Sequence, residues 1–274
     1  MKQYSLDDLL GIMAALRDPV SGCPWDQKQD FVSLVPHTLE EAYEVADTIT
    51  RNALDELPNE LGDLLFQVVF YAQLGKEQAL FDFNYVVQAV SEKLIRRHPH
   101  VFTSNEPNHE LGERRFTSED EIKANWEAIK AQERRQQDAN ATSALDDIPR
   151  NLPALTRANK IQKRCSAVGF DWQALPPVLE KIYEELDEVM AELKQPEQNS
   201  ARIADELGDV LFACVNLVRH LKQDPEAVLR GANDKFERRF RGVEQALQAD
   251  NKRSQDCSEA ELDGYWRQQK LKER

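Results

Sequence analysis

The stretch IYEELDEVMAEL, residues 182–193, is followed after a short polar gap by IADELGDVLFACVNL, residues 203–217, and the two together decide the fold. Each repeats its apolar residues at three and four positions, the period of an amphipathic helix. At 100° per residue, Ile182, Leu186, Val189 and Leu193 share one side of the first helix, with Lys181, Glu185, Glu188 and Glu192 in a stripe beside it. On the second, Ile203, Leu207, Val210, Cys214 and Leu221 form the expected buried face, edged by Arg202, Glu206, Asp209, Ala213 and Asn216. Paired as a short-looped antiparallel hairpin, the two helices let Glu185, Glu188, Glu206 and Asp209 converge.

The same periodicity runs through almost every apolar segment of the 274 residues, and the ten glycines fall mostly between segments, so the expected fold class is all-α. Two polar stretches break the pattern, residues 103–120 and 131–153; the second, ending in Pro149 and Pro153, is the better linker. A comparison of the chain with itself then sets the organisation. EEAYEVAD (40–47) and NELGDLLFQVVF (59–70) recur in order as EELDEVMAE (184–192) and DELGDVLFACVN (205–216). KLIRRHPHVF (93–102) recurs as KFERRFRGVE (235–244), and NWEAIKAQER (125–134) as YWRQQKLKER (265–274). The expectation is two tandem units of four to five helices: an N-terminal domain over 1–130, a linker over 131–153 and a C-terminal domain over 154–274, associating through apolar helix faces as a homodimer.

Several classes drop out on composition and motif. The start MKQYSLDDLL lacks the apolar core of a signal peptide, and no run of about eighteen apolar residues is present, so a soluble, cytoplasmic protein without membrane partners is expected. Cys23, Cys165, Cys214 and Cys257 are scattered with no CxxC pair, which argues against a zinc site or a disulfide framework. A formal charge of −14 repels nucleic acid, so any phosphate-bearing ligand must be met by local cations or by a metal. Neither GxxxxGK[ST] nor a GxGxxG after a strand occurs.

Four carboxylates converging in a partly dry cleft raise one another's pKa, a conflict that a divalent cation removes. All-oxygen ligation favours Mg²⁺ or Mn²⁺ over zinc, and Mg²⁺ commonly completes its shell with waters and phosphate oxygens. The bland alternative is that ExxE and ELGD are solvated helix faces. Matched spacing in both halves, followed each time by KxxRR, favours a site. Lys235, Arg238 and Arg239, at i, i+3 and i+4, put an ammonium and two guanidinium forks on one helical face, as do Lys93, Arg96 and Arg97 in the first half. Trp266 offers either an aromatic plane for a base or a structural ring closing the core. Gly62 and Gly208 interrupt their helices at about 1 kcal/mol each relative to Ala, which suggests close helix or ligand approach.

These residues resemble the MazG nucleoside triphosphate pyrophosphohydrolases, in their tandem form. GCPWD (22–26), HTLEEAYEV (37–45), ELGDLLFQVVFYAQ (60–73), RRHPHVF (96–102), KIQKRC (160–165), VGFDW (168–172) and KFERRF (235–240) carry the likeness. The resemblance implies Mg²⁺-dependent hydrolysis of a nucleoside triphosphate to monophosphate and pyrophosphate by a helical homodimer. It implies Glu185, Glu188, Glu206 and Asp209 as metal ligands, with the KFERR block and Trp266 on the nucleotide. Glu184 or Asp205, each beside a ligand, is positioned to accept the proton of an attacking water. With no polar cluster that reads a base, broad selectivity and nucleotide-pool housekeeping are expected. The rival reading is a helical scaffold that binds nucleotide, or nothing, through degenerate sites.

The N-terminal copy keeps Glu41, Glu44, Glu60 and Asp63 at the four acidic positions. Its surroundings differ: His37 stands for Lys181, Glu56 for Arg202 and Phe70 for Asn216. Two fixed cations against one extra carboxylate favour the C-terminal site for a substrate bearing about four negative charges, by roughly 1 kcal/mol per group near a hydrated surface. The C-terminal copy is therefore expected to be the main catalyst, with Lys181 and Arg202 on the substrate.

Overall fold

In a computed structural model, residues 3–99, 101–102 and 143–273 are described, together with 118, 121, 122, 125, 126, 128, 129 and 133. Among them there is no strand, and the chain divides into two compact units, 1–133 and 134–274. The polar stretch 103–120 lies outside the described residues except at 118, as do residues 131, 132 and 134–142 of the expected linker; the linker's described end, 143–153, belongs to the second unit, where Arg164 donates to the Ala144 carbonyl at 3.2 Å.

The first unit comprises α1 (Leu6–Leu16), a single 3-10 turn (Asp26–Lys28), α2 (Val35–Thr50), α3 (Leu57–Glu77) and α4 (Phe83–Arg97). Its starts are written in the sequence: Ser5 and Asp8 form a capping box on α1, and Asp82 accepts from the Tyr85 amide at 2.9 Å on α4. Helix α3 is central, packing on α2, α1 and α4. Met13, Leu34, Val69, Phe70 and Leu74 are buried there, with Leu10, Phe31, Phe66 and Phe83 against them. Where the chain leaves α3, a Cβ on Gly75 would stand 2.8 Å from the Phe81 carbonyl oxygen, so the turn into α4 depends on glycine at that position.

The second unit comprises α5 (Ala154–Ala167), α6 (Leu175–Leu193), α7 (Ser200–His220), α8 (Pro225–Ala249), a 3-10 turn (Ser254–Asp256) and α9 (Glu259–Lys272). Asn199, Asp224 and the Ser258–Glu261 pair cap α7, α8 and α9 in turn. Helices α6 and α7 form the expected hairpin, α8 pairs with α9, and α5 crosses both α7 and α8. Trp266 on α9 packs its ring on Phe236 of α8, centroids 5.1 Å apart, and Phe236 stacks on Phe240. Phe236 and Phe240 are themselves 58% and 43% exposed, so this aromatic cluster lies at the surface of the unit.

The buried faces are rotated from those the periodicity predicts. On α6 the buried side chains are Val178, Glu185, Val189 and Glu192, while Leu186 and Leu193 remain 44% and 42% exposed. On α7 they are Ala213, Val215 and Asn216, with Leu207 and Leu221 exposed. The carboxylate edge of α6 turns toward α7, and the leucine stripe turns away. Hydrophobic periodicity reports which residues avoid water, and it does not say which neighbour covers them. Of the close helix or ligand approach expected at Gly62 and Gly208, the helix approach is corrected: a Cβ at either would meet nothing within 4 Å among the described residues.

Candidate active site

In the second unit, α6 brings Glu185 and Glu188 and α7 brings Glu206 to one spot, where their ligand oxygens lie within 4.8 Å of one another. Asp209, one turn beyond Glu206, is exposed and stands outside this trio. Glu185 is only 5% exposed, and its Oε2 is buried without a hydrogen-bond partner. Its Oε1 meets the Lys181 ammonium at 2.6 Å, and Lys181 also holds Glu184 at 2.8 Å. A hydrogen bond to Glu185 that needs a proton, then burial, then the charges of Glu185 and Glu206 push the Glu188 carboxyl above its ordinary range, with Lys181 opposing. The hydrogen bonds to Glu184 and Glu185 raise the Lys181 ammonium in turn.

The first unit repeats the arrangement with a different trio. Glu41 from α2 meets Glu60 and Asp63 from α3 within 4.8 Å, and it is Glu44 that stands aside. Burial, followed by the charges of Asp63 and Glu44, pushes the Glu41 carboxyl upward. His37, at the position of Lys181, lies 3.7 Å from Glu40.

A buried carboxylate oxygen with no donor, beside carboxyls that resist ionising together, is an electrostatic debt that a divalent cation removes. The donors are all carboxylate oxygens, a set suited to Mg²⁺ or Mn²⁺. The residues present fit such an ion in both units.

The surrounding cations are engaged in ways the sequence does not reveal. Arg202 pairs with the buried Glu192 at 2.9 Å, and Glu56, its counterpart, with Arg51 at 2.8 Å. The charge difference at that position is therefore closed locally on both sides. Arg238 and Arg239 grip the two oxygens of Glu273 at 2.8 and 2.6 Å. Arg96 and Arg97 grip Glu133, the corresponding residue of the first half, at 2.7 and 2.6 Å. Each glutamate is held below its ordinary carboxylate range by its two guanidinium partners, Arg239 ahead of Arg238 and Arg97 ahead of Arg96. Lys93, Lys235 and Asp205 are exposed.

One feature escaped the sequence altogether. Beside α5 and α7 lies a cavity of about 380 Å³, walled by Gln162, Phe170, Trp172, Phe212 and Asn216. Asp171 and Arg219, also on its wall, are joined at 2.6 Å, and His220 lies 3.1 Å from the same carboxylate oxygen. Burial works against ionisation of Asp171, but hydrogen bonds from Arg219, Ser166 and His220 outweigh it and hold the carboxyl far below its ordinary range.

Residues 29–102 and 173–243 each match the profile of the MazG nucleotide pyrophosphohydrolase domain. The chain is 51% identical over 268 residues to the nucleoside triphosphate pyrophosphohydrolase of Escherichia coli (strain K12), covering 98% of each protein. It is 40% identical to the nucleoside triphosphate pyrophosphohydrolase/pyrophosphatase MazG of Thermotoga maritima, over 96% of this chain and 95% of that one. A third relative, the uncharacterized protein YabN of Bacillus subtilis, is 38% identical over 96% of this chain and 51% of its own length.

Proposed function

As the chain belongs to the MazG nucleotide pyrophosphohydrolase family, with one copy of the domain in each half, we propose that it hydrolyses nucleoside triphosphates to the monophosphate and pyrophosphate, using Mg²⁺ or Mn²⁺. The observation that carries this reading is the pair of carboxylate trios, each with oxygens within 4.8 Å, which share two matched positions of the repeat, Glu41 with Glu185 and Glu60 with Glu206. A bound cation supplies a Lewis acid that neutralises charge on the phosphate chain and acidifies a water. Glu185, Glu188 and Glu206 would hold it, with Asp209 at the rim. Lys181, already seated on Glu185, is within a side-chain rotation of a phosphate oxygen entering beside it. Glu184 and Asp205, both exposed, are the candidate proton acceptors. Lys235, Arg238 and Arg239 would meet the phosphate chain, the two arginines exchanging Glu273 for phosphate oxygens in charge-assisted contacts of the same kind. Trp266, half-buried beside the exposed Phe236, would offer its free face to a base.

Mg²⁺ with a panel of triphosphates, resolving monophosphate plus pyrophosphate from diphosphate plus phosphate, tests the reading. Monophosphate and pyrophosphate are expected, with rates for several bases within about tenfold, a gap of about 1.4 kcal/mol. Diphosphate as the product would mean cleavage at the terminal phosphate instead, and no turnover would return the protein to the scaffold reading. Such breadth suits a cytoplasmic role in keeping the nucleotide pool clean.

The uncovered stripe supports a homodimer. Leu179, Leu186, Met190 and Leu193 of α6 share an exposed face with Leu207 and Leu211 of α7 nearby, and Leu39, Tyr43, Leu61 and Leu65 repeat the theme on α2 and α3. Exposed apolar patches of this kind are commonly an interface. Among the described residues no helix is long and apolar enough to cross a membrane. Sedimentation equilibrium is expected to give twice the chain mass, and Leu186→Glu with Leu207→Glu to shift it to the monomer.

A further inference from the structure

We propose that Glu273 is an internal rival of the substrate: a carboxylate seated on Arg238 and Arg239 that a phosphate chain must displace, and that thereby sets how tightly polyanions are held. This role rests on the chemistry proposed above, in which the two arginines meet the phosphate chain, and it gives an active part to a residue which that chemistry only moves aside.

The contact has the geometry of an anion receptor. Arg238 donates through Nε to one oxygen of Glu273 at 2.8 Å, and Arg239 donates through Nε to the other at 2.6 Å. One carboxylate thus bridges two guanidinium groups instead of taking the two-pronged fork of either. Two positive charges face one negative charge, so the pair keeps a net attraction for a further anion. Phosphate oxygens suit guanidinium donors as carboxylate oxygens do, and a phosphate chain brings more charge than a single carboxylate. Exchange therefore breaks two ion pairs and replaces them with stronger ones, and an anion no more charged than Glu273 gains nothing by it.

Glu273 also stands where it can leave. It is the C-cap of α9, just past the last helical residue, with its amide on the Leu271 carbonyl. Helix ends fray, and a carboxylate at that end opposes the negative pole of the helix dipole. Among the described residues, the hydrogen bonds to its carboxylate come from the two arginines alone. The rest of α9 is fastened without it. Lys252 pairs with Glu261 at 2.7 Å, and the Tyr265 hydroxyl donates to Asp250 at 2.5 Å. Gln269 is buried against α8 so closely that a Cβ on Gly242 would stand 2.7 Å from its Oε1. Swinging Glu273 aside therefore breaks its ion pairs and frays one residue, and the helix stays.

The first unit repeats the rivalry. Arg96 and Arg97 sit on Glu133 at 2.7 and 2.6 Å, and Glu133 answers to Glu273 in the blocks NWEAIKAQER and YWRQQKLKER. The Glu133 side chain is 11% exposed against 27% for Glu273, so the first unit is the more firmly closed to polyanions.

The test is calorimetric titration of the full chain, stripped of metal, with inorganic pyrophosphate. Glu273→Gln keeps the size of the side chain and removes its charge. It is expected to tighten pyrophosphate at least about threefold, within what a partly exposed ion pair allows. The gain is expected to vanish when Arg239→Gln is added, which also separates this pair from Arg96 and Arg97. In the Mg²⁺-supported reaction, KM for ATP is expected to fall by a similar factor, with kcat unchanged or lowered as pyrophosphate leaves more slowly. The melting temperature is expected to drop by a few degrees at most, because α9 keeps its other contacts. A Glu273→Gln variant that unfolds, or that folds and binds pyrophosphate no more tightly than the wild type, identifies a plain staple between α8 and α9 and overturns the role. Tighter pyrophosphate in a chain that cleaves no triphosphate supports the rival carboxylate and removes the proposed reaction. Triphosphate cleavage with neither KM nor pyrophosphate affinity moved does the reverse.

Discussion

Glu206→Gln is expected to reduce Mg²⁺-supported triphosphate cleavage at least about a hundredfold while leaving the metal-free protein as stable as the wild type or more so. The two halves of this result have one cause. Glu206 faces Glu185 and Glu188 within 4.8 Å, and the charges of Glu185 and Glu206 both act against ionisation of Glu188. Without a cation, the neutral amide removes one of three like charges from the cluster. With a cation, it removes a ligand and a full negative charge, and a loss of about 3 kcal/mol in the transition state is a factor of about a hundred. The accompanying measurement is thermal: Mg²⁺ should raise the melting temperature of the wild type by mass action on the folded state, and should raise that of Glu206→Gln far less. Asp209→Asn is expected to cost less, near tenfold, since Asp209 is exposed and stands outside the trio. Near-normal turnover in Glu206→Gln, or a melting temperature well below the wild type's, would mean that Glu206 holds the fold and not an ion.

What the sequence discloses and what it withholds follows from the range of each interaction. The carboxylate spacing is legible because a helix turns three-apart residues to one face, and the repeat certifies it by writing it twice. The trio within the four was beyond reach, since the choice of Asp63 in one unit and Glu188 in the other depends on how each hairpin is rolled. The leucines of α6 were placed correctly on one stripe and wrongly in the unit's interior. Periodicity contains no information about a face that needs another surface to cover it. The grip of Arg238 and Arg239 on Glu273 joins residues 35 and 34 positions apart on different helices. The repeat held a hint of it, for Glu133 matches Glu273 as Arg96 and Arg97 match Arg238 and Arg239. The cavity was invisible for a deeper reason: Asn216 was noted as the counterpart of Phe70, but a missing ring becomes a space only once α5 is known to lie across α7.

The same comparison decides which half should do the work, on altered grounds. Of the sequence differences, Arg202 against Glu56 carries little weight, since Glu192 neutralises the first and Arg51 the second. Lys181 against His37 stands apart, because one of the two carboxylates that Lys181 holds, Glu185, belongs to the trio itself. The ammonium sits 2.6 Å from Glu185 at the mouth of the C-terminal trio, whereas His37 lies 3.7 Å from Glu40, which is not among the clustered acids. A fixed cation at that point, where the first unit has an imidazole, favours an incoming polyanion by about 1 kcal/mol near a hydrated surface. Asn216 against Phe70 puts a buried amide on a cavity wall in one unit and a buried ring at the same place in the other. The Lys181 difference favours the C-terminal unit. Glu60→Gln is therefore expected to leave at least about half of the triphosphate cleavage, while Glu206→Gln removes nearly all of it, with the double variant no worse than Glu206→Gln. A Glu60→Gln variant that loses all cleavage while Glu206→Gln keeps it would reverse the assignment. Equal losses from both would mean that Lys181 acts on something other than this reaction, and that the two trios turn over the same substrate independently.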